Sequence, residues 1–329
     1  MQKISIVISA FNEEKKIKDC LASVKNLADE IIFIDNSSQD KTVEIAKKYT
    51  SEIFKRQNDP VMLNKNKNYG FEKASGDWIL SLDADERLTP QLIREIRTKI
   101  SDNQFSGYEI SRKNIIFGKW IQNSIWWPDF NLRLFRRGKG KFLLKHVHEK
   151  LEVIGGVGRL KNPMIHFNYE TVSQFLTKMD KTYTESETEN FIKSGKSINW
   201  HDAIRWPVND FVKTFFFQKG YKDGLHGLVL SLLQAFYAFV FFAKVWERKE
   251  NFKDLFYSYP APLGRHSDYS ARHPEPSSRH PELDSGSVFL TEVIREFQRS
   301  AKDIRYWIYE VLANENPAKK LYYKLRRKI

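Results

Sequence analysis

Over the first hundred residues, short β-branched runs alternate with segments whose apolar residues fall at helical spacing. No other feature of the chain limits the fold as tightly. Ile4-Ser5-Ile6-Val7-Ile8, Ile31 to Ile34 and Trp78 to Leu82 read as buried strands. Between them, Glu13 to Asn26 places Ile17, Cys20, Leu21 and Val24 on one helical face. Ser37 to Tyr49 does the same with Val43, Ile45, Ala46 and Tyr49, and Leu63 to Ala74 reads as a helix stopped by Ser75-Gly76-Asp77. Thr89 and Pro90 supply an N-cap and a first-turn proline for a helix through Leu92, Ile93, Ile96 and Ile100. Strands alternating with helices predict an α/β fold, a Rossmann-like and mostly parallel sheet flanked by helices.

Ligands of such sheets bind beyond the carboxyl ends of the strands. The polar clusters fall there: Ala10-Phe11-Asn12-Glu13, Asp35-Asn36-Ser37-Ser38 and Asp83-Ala84-Asp85 each follow a strand. The last is the most telling, because Asp83, Asp85 and Glu86 come directly after an apolar run. Carboxylates that close repel one another unless something positive sits among them. A solvated acidic turn is the plainer reading; a divalent cation site is the sharper one. Spacing of two puts Asp83 and Asp85 on one side of an extended segment. The net charge of +13 predicts a surface that attracts anions, namely nucleotide phosphates or anionic lipid. With no zinc-finger, RNA-recognition or helix-turn-helix signature, nucleic acid is not expected as a partner. Cys20 is the sole cysteine, so no intrachain disulfide is expected, and the N-terminus carries no export signal pattern.

The segments "ISIVISAFNEE", "EIIFIDNSSQDKTVEIAKKY" and "ASGDWILSLDADERLTPQL" resemble glycosyltransferase family 2 in order and spacing. Further on, "WWPDFNLRLFRRGKGKFLLKHVHEKLEVIGGVGRLKNPMIHFNYETVSQFLTKMDKTY" is similar to the subgroup that builds lipopolysaccharide core, typically as β-glucosyltransferases. The resemblance covers about residues 2–185. It implies a GT-A fold, an inverting transfer from a nucleotide sugar (a UDP-sugar, by resemblance UDP-glucose), and dependence on Mg²⁺ or Mn²⁺. In that reading Asp83-Ala84-Asp85 is the DxD motif, with Asp85 the direct metal ligand and Asp83 nearer ribose or metal. Asp35 recognises base or ribose; a helix N-cap is its plainer role. Asn36 stands where many members carry a second aspartate, and Ser37 where many carry glycine. Ala10, Phe11, Asn12 and Glu13 form the first nucleotide loop, although plain core packing would also account for Phe11. Lys67 and Asn68 face the nucleotide, or else belong to a solvated basic helix face.

His166 is the candidate third metal ligand, since neutral imidazole suits Mn²⁺; a structural histidine is the alternative. The general base is Glu149, with His148 positioning phosphate or acceptor, or it is Asp129. The basic run from Arg133 to Lys145 binds phosphates or forms an exposed ribbon.

Beyond the catalytic domain, expected over 1–195, residues 196–260 are aromatic-rich. Gly227 to Ala243 carries no charge and comes close to the roughly 17-residue lower limit of a bilayer span. With "FVKTFFF" upstream and flanking lysines, it predicts a pair of helices on the inner face of the cytoplasmic membrane; a true span and a buried core are the other readings. The acceptor is then expected to be a lipid-linked saccharide. Residues 261–288 repeat Arg-His-Pro and read as a disordered insertion, and 289–329 as a basic C-terminal helix and tail. Two other functions compete. A nucleotidyltransferase-like sheet would want a glycine-rich loop, which "SAFNEEKK" lacks, and a non-catalytic membrane adaptor would have lost the acids at 83 and 85.

Overall fold

The computed structural model describes residues 2–59, 62–102, 104–144, 149–255 and 282–315. Two compact units emerge: residues to Ser186 with Lys222–Gly227, and Glu187–Tyr221 with the chain from Leu228 on.

In chain order the first unit contains β1 (Ile4–Ala10), α1 (Ile17–Val24), β2 (Glu30–Asp35), α2 (Thr42–Ala46), β3 (Ile53–Lys55), α3 (Leu63–Lys73), β4 (Trp78–Asp83), β5 (Glu86–Arg87) and α4 (Pro90–Ile100). There follow β6 (Gly107–Ile116), β7 (Lys119–Trp120), β8 (Asp129–Arg136), β9 (Gly140–Lys141), β10 (Glu152–Val153), β11 (Val157–Arg159), β12 (Met164–Tyr169) and α5 (Val172–Lys178). The main sheet runs β3-β2-β1-β4-β8-β6-β12-β5. It is parallel across β3, β2, β1 and β4. Beyond β4 it is mixed, because β8 runs antiparallel to both neighbours.

The predicted strands and helices are present, with one marked difference: the helix read over Ser37–Tyr49 shrinks to Thr42–Ala46. Its first residues are taken by a loop in which Ser37 sits at φ 64°, a conformation no helix accepts. β1 is buried on both faces, with Ser5 buried among its isoleucines and valine. Ile4, Ile6 and Ile8 pack with α1 and α4 through Leu21, Val24, Leu92 and Ile96. Val7 points the other way, toward Ile34, Ile79 and Phe71 of α3. Gly76 enters β4 so close to β1 that a Cβ would lie 2.9 Å from the Ser5 backbone nitrogen, so only glycine fits. α4 starts as predicted, with Thr89 accepting from Leu92 N at 3.2 Å and Pro90 in the first turn.

The second unit is helical: α6 (Thr184–Lys193, starting within the first unit), α7 (Asp202–Phe211), α8 (Leu225–Glu250, likewise) and α9 (Glu282–Glu315). Phe211–Phe217 is not a separate helix, since α7 continues into it as a π-helical turn over Val212–Phe217. Ile198, Phe242 and Val245 form its core with Trp206 and Phe241. Arg205 grips the buried Glu296 through two bonds of 2.6 and 3.1 Å. α8 is long and apolar enough to cross a membrane by length and composition, and 28% of its apolar window is buried. Leu232, Phe236 and Phe239 stand exposed on one face of it. The Arg-His-Pro repeat from 265 to 281 and the basic tail beyond 315 lie outside the described residues.

Candidate active site

The three polar clusters come together because their strands are neighbours. Ala10 pairs with Asp35 across β1 and β2, and Ser9 with Asp83 across β1 and β4. Asn12, at φ 53°, ties two of the loops: its Oδ1 accepts from Gln39 N at 2.8 Å and its N–H donates to Ser38 Oγ at 3.0 Å.

Asp83 closes β4 and is compensated from within the chain. Lys67 Nζ reaches one of its oxygens at 2.6 Å and Arg133 Nη2 the other at 2.7 Å. The same Arg133 nitrogen lies 2.6 Å from Glu86 Oε1, and the other Glu86 oxygen accepts the Asp83 N–H at 3.0 Å. Glu86 is fully buried, so it bridges and is not solvated. Burial alone would raise the Asp83 carboxyl, but Arg133 and Lys67 overcome it and hold it well below the usual carboxylate range. Much of the positive charge that the acidic turn demanded is therefore an arginine on β8. The sequence left Arg133 as a phosphate binder or part of an exposed basic ribbon; among the described basic residues of that run it is the buried one.

Asp85 has a different partner. The pairing of β12 with β5 sets His166 opposite Glu86, and Phe167 N–H bonds Asp85 O at 2.9 Å. This brings His166 Nε2 to 3.5 Å from Asp85 Oδ2. Burial pushes the Asp85 carboxyl up, yet the charge and hydrogen bond of His166 prevail and bring it to about 2. Glu13 shares this neighbourhood. Burial first, and then repulsion from Asp85, push its carboxyl up to about 7. Glu13, Asp85 and His166 thus form a region where acid exceeds tightly paired base. Among the described residues no group of three or more His, Cys, Asp and Glu converges as a ready metal cage.

The remaining candidates are placed as follows. Asp35 is buried and its Oδ1 accepts Ser38 N–H at 3.0 Å, capping a turn and not a helix. Phe11 is 40% exposed, which removes core packing as its role. Ala10 and Ala84 are buried backbone spacers. Lys67 is turned to Asp83, whereas Asn68 clamps the Phe142 backbone with bonds of 2.8 and 2.9 Å. Glu149 Oε1 accepts from Leu144 N at 2.9 Å and Asn64 Nδ2 at 3.3 Å. Asp129 receives Arg112 through two nitrogens at 2.8 and 2.7 Å, together with Asn114 and Asn131. His148 lies outside the described residues. A cleft of about 560 Å³ opens beside Asp35, at the end of β3 and the start of α3, lined by Ser37, Arg56, Asn58, Lys65 and Asn66 among others.

Sequence reasoning missed Arg112 and Asn114. The signal was present: they share the period-two face of β6 with Ile110 and Ile116, so two polar residues interrupt an apolar face.

Residues 5–151 match the family model "Glycosyl transferase family 2". The chain carries a family 2 glycosyltransferase domain with a GT-A sheet, and the protein is a glycosyltransferase. Among its relatives is the lipopolysaccharide core biosynthesis glycosyltransferase LpsC of Rhizobium meliloti, 28% identical over 257 residues, covering 74% of this chain and 92% of that one. An uncharacterized glycosyltransferase of Rickettsia typhi is also 28% identical, over 75% of this chain and 88% of its own length. Of solved structures, Staphylococcus aureus TarS 1–349 is similar at 12% identity over 76% of this chain and 92% of that chain, TM-score 0.38. Glucosyl-3-phosphoglycerate synthase of Mycobacterium tuberculosis, solved with Mn²⁺ and UDP-glucose, is 20% identical over 34% of this chain and 44% of that chain, TM-score 0.29.

Proposed function

We propose that this glycosyltransferase moves a hexose, favoured as glucose from UDP-glucose, onto a lipid-anchored saccharide such as lipopolysaccharide core. The transfer inverts the anomeric carbon and uses Mg²⁺ or Mn²⁺. The observation that carries this reading is the facing pair Asp85 Oδ2 and His166 Nε2, 3.5 Å apart, beside a Glu13 carboxyl that its surroundings discourage from ionising. A carboxylate with an imidazole suits Mn²⁺, and such ions commonly take one or two protein ligands and complete their shell with phosphate and water. Asp85 and His166 would hold the ion. When bound, it neutralises charge developing on the departing diphosphate.

The chain's own groups do the rest. Asp35 and the Phe11-Asn12-Glu13 loop orient the nucleotide, with the exposed Phe11 ring available to lie against a base. The acceptor hydroxyl oxygen forms its bond to the anomeric carbon while the bond from that carbon to the diphosphate oxygen breaks. The bonding pair leaves with the diphosphate, and the hydroxyl proton passes to a carboxylate. Asp129 is a poor receiver, because Arg112, Asn114 and Asn131 all donate to it. Glu149, whose Oε1 accepts from Leu144 N and Asn64, is the base in this proposal. The exposed apolar stripe of α8, with Lys244, Arg248 and Lys249 toward its end, supports placement at an anionic membrane surface, where a lipid-anchored acceptor would be met.

The test is a donor screen on the purified protein: UDP release from a panel of UDP-sugars with Mn²⁺, with and without a lipid-linked saccharide. UDP-glucose should be consumed fastest, and EDTA should stop release. Turnover that is indifferent to EDTA would refute the metal-assisted reading.

A further inference from the structure

We propose that Asn114 is a positioning residue that holds His166 with its proton on Nδ1 and its Nε2 lone pair aimed at Asp85, so that the cation site is formed before any cation arrives. This rests on the metal-assisted reading above and adds to it a residue outside the family's strand-end motifs.

Asn114 is fully buried on β6. Its side-chain nitrogen donates to Trp126 O at 2.7 Å and to Asp129 Oδ2 at 3.1 Å. Both partners only accept, so the amide cannot be turned over: flipped, its oxygen would face a carbonyl and a carboxylate. The Asp129 end is itself anchored by Arg112 at 2.8 Å and by Asn131 at 2.9 Å. The Asn114 oxygen is therefore committed to His166 Nδ1, 2.6 Å away, and an oxygen there requires a donor. In the neutral ring the proton therefore sits on Nδ1 and Nε2 is left as the nitrogen that faces Asp85; when the ring is charged, the second proton lies on Nε2 toward Asp85.

In a neutral ring so oriented, Nε2 is an acceptor looking at an acceptor across 3.5 Å. Such a gap is satisfied by a proton or by a cation. Strand register reinforces the arrangement, since His166 lies directly opposite Asn114 in the β12–β6 pair and opposite Glu86 in the β12–β5 pair. A histidine kept only for packing would be served by either tautomer. The chain Arg112–Asp129–Asn114–His166 selects one, and a ligating imidazole needs its second nitrogen fixed in this way.

The first measurement needs no substitution at Asn114. In the metal-free, ¹⁵N-labelled full-length protein at alkaline pH, the His166 ring signals, identified by their loss in His166→Gln, should report the Nδ1–H tautomer. An Nε2–H tautomer overturns the proposal. The second is Mn²⁺ binding followed by electron paramagnetic resonance. Asn114→Leu should weaken it about 10- to 100-fold, and in the same variant the His166 ring signals should no longer report a single Nδ1–H tautomer. If Asp85→Ala abolishes binding but Asn114→Leu binds like the wild type, the positioning role is wrong and the metal reading stands. If neither Asp85→Ala nor His166→Ala weakens binding, the metal reading is wrong and this inference falls with it.

Discussion

Two carboxylates one residue apart, Asp83 and Asp85, live in opposite electrostatic surroundings. Asp83 belongs to a network in which three acids (Asp83, Glu86, Asp129) meet three bases (Lys67, Arg133, Arg112) at 3.8 Å or less. Asp85 faces a histidine, and the other charges that act on it, Asp83 and Lys178, oppose one another. The first half of the motif is neutralised by the protein's own cations and holds the sheet together at β4 and β8. The second half keeps a deficit that an added cation can fill. Local charge balance thus separates the two acids: one is paired within the protein, and the other is the one to which the proposed function assigns the chemistry.

The largest expected effect comes from breaking the chemical member. Asp85→Ala should lower turnover by about 10³-fold or more, because the stabilised leaving group is what the site supplies. The variant should still unfold in one cooperative transition, which separates lost chemistry from a lost fold. A variant with wild-type turnover would erase the contrast between the two acids. Breaking the structural member should do the reverse. Arg133→Met leaves Asp83 and Glu86 without their shared buried counter-charge and should cost about 3 kcal/mol of stability, measured by urea unfolding. If Arg133→Met unfolds like the wild type, the network is not what holds the acids.

The deficit around Asp85 also predicts a pH dependence. The Glu13 carboxyl titrates near 4.5 as a free group and at about 7 in the fold. The folded state therefore binds more protons than the unfolded state between those values. Stability is full below 4.5 and falls as pH rises through about 7. In the metal-free protein the loss from pH 4.5 to 8 should be about 2–3 kcal/mol. Glu13→Gln should flatten that part of the curve and be the more stable protein at pH 8. An unchanged slope in Glu13→Gln would move the unfavourable charge to some other group.

β1, β2 and β4 were legible because each is buried on both faces and mostly apolar, whereas β3, only partly buried, gave no such run. β12 was not legible. Only Met164 and Ile165 of Met164–Tyr169 read as apolar before His166, and the strand exists because β6 and β5 flank it. Strand-end acids were found from the sequence for the same reason the strands were. Their counter-charges were not, since Arg133 and Arg112 come from β8 and β6, which join the sheet antiparallel and far along the chain. A local pattern shows which carboxylates cluster, and it cannot show which of them the fold will neutralise. Ser37 is an intermediate case: it stands where the family resemblance implies glycine, and its φ of 64° gives a reason for glycine there.

The smallest effect separates the two cations that share Asp83. Arg133 is nearly buried, with its side chain 7% exposed, whereas the Asp83 side chain is 30% exposed and that of Lys67 is 14% exposed. Removing Lys67 leaves an oxygen that water can solvate and a carboxylate still paired with Arg133. Lys67→Met should therefore cost only about 1 kcal/mol, and a double-mutant cycle with Asp83→Asn should give a coupling of that size. The same cycle between Arg133 and Asp83 should give a clearly larger coupling, because no water replaces the guanidinium. Equal couplings would mean that burial does not rank the two cations, and the contrast between the neutralised and the open halves of the motif would then need a cause other than desolvation.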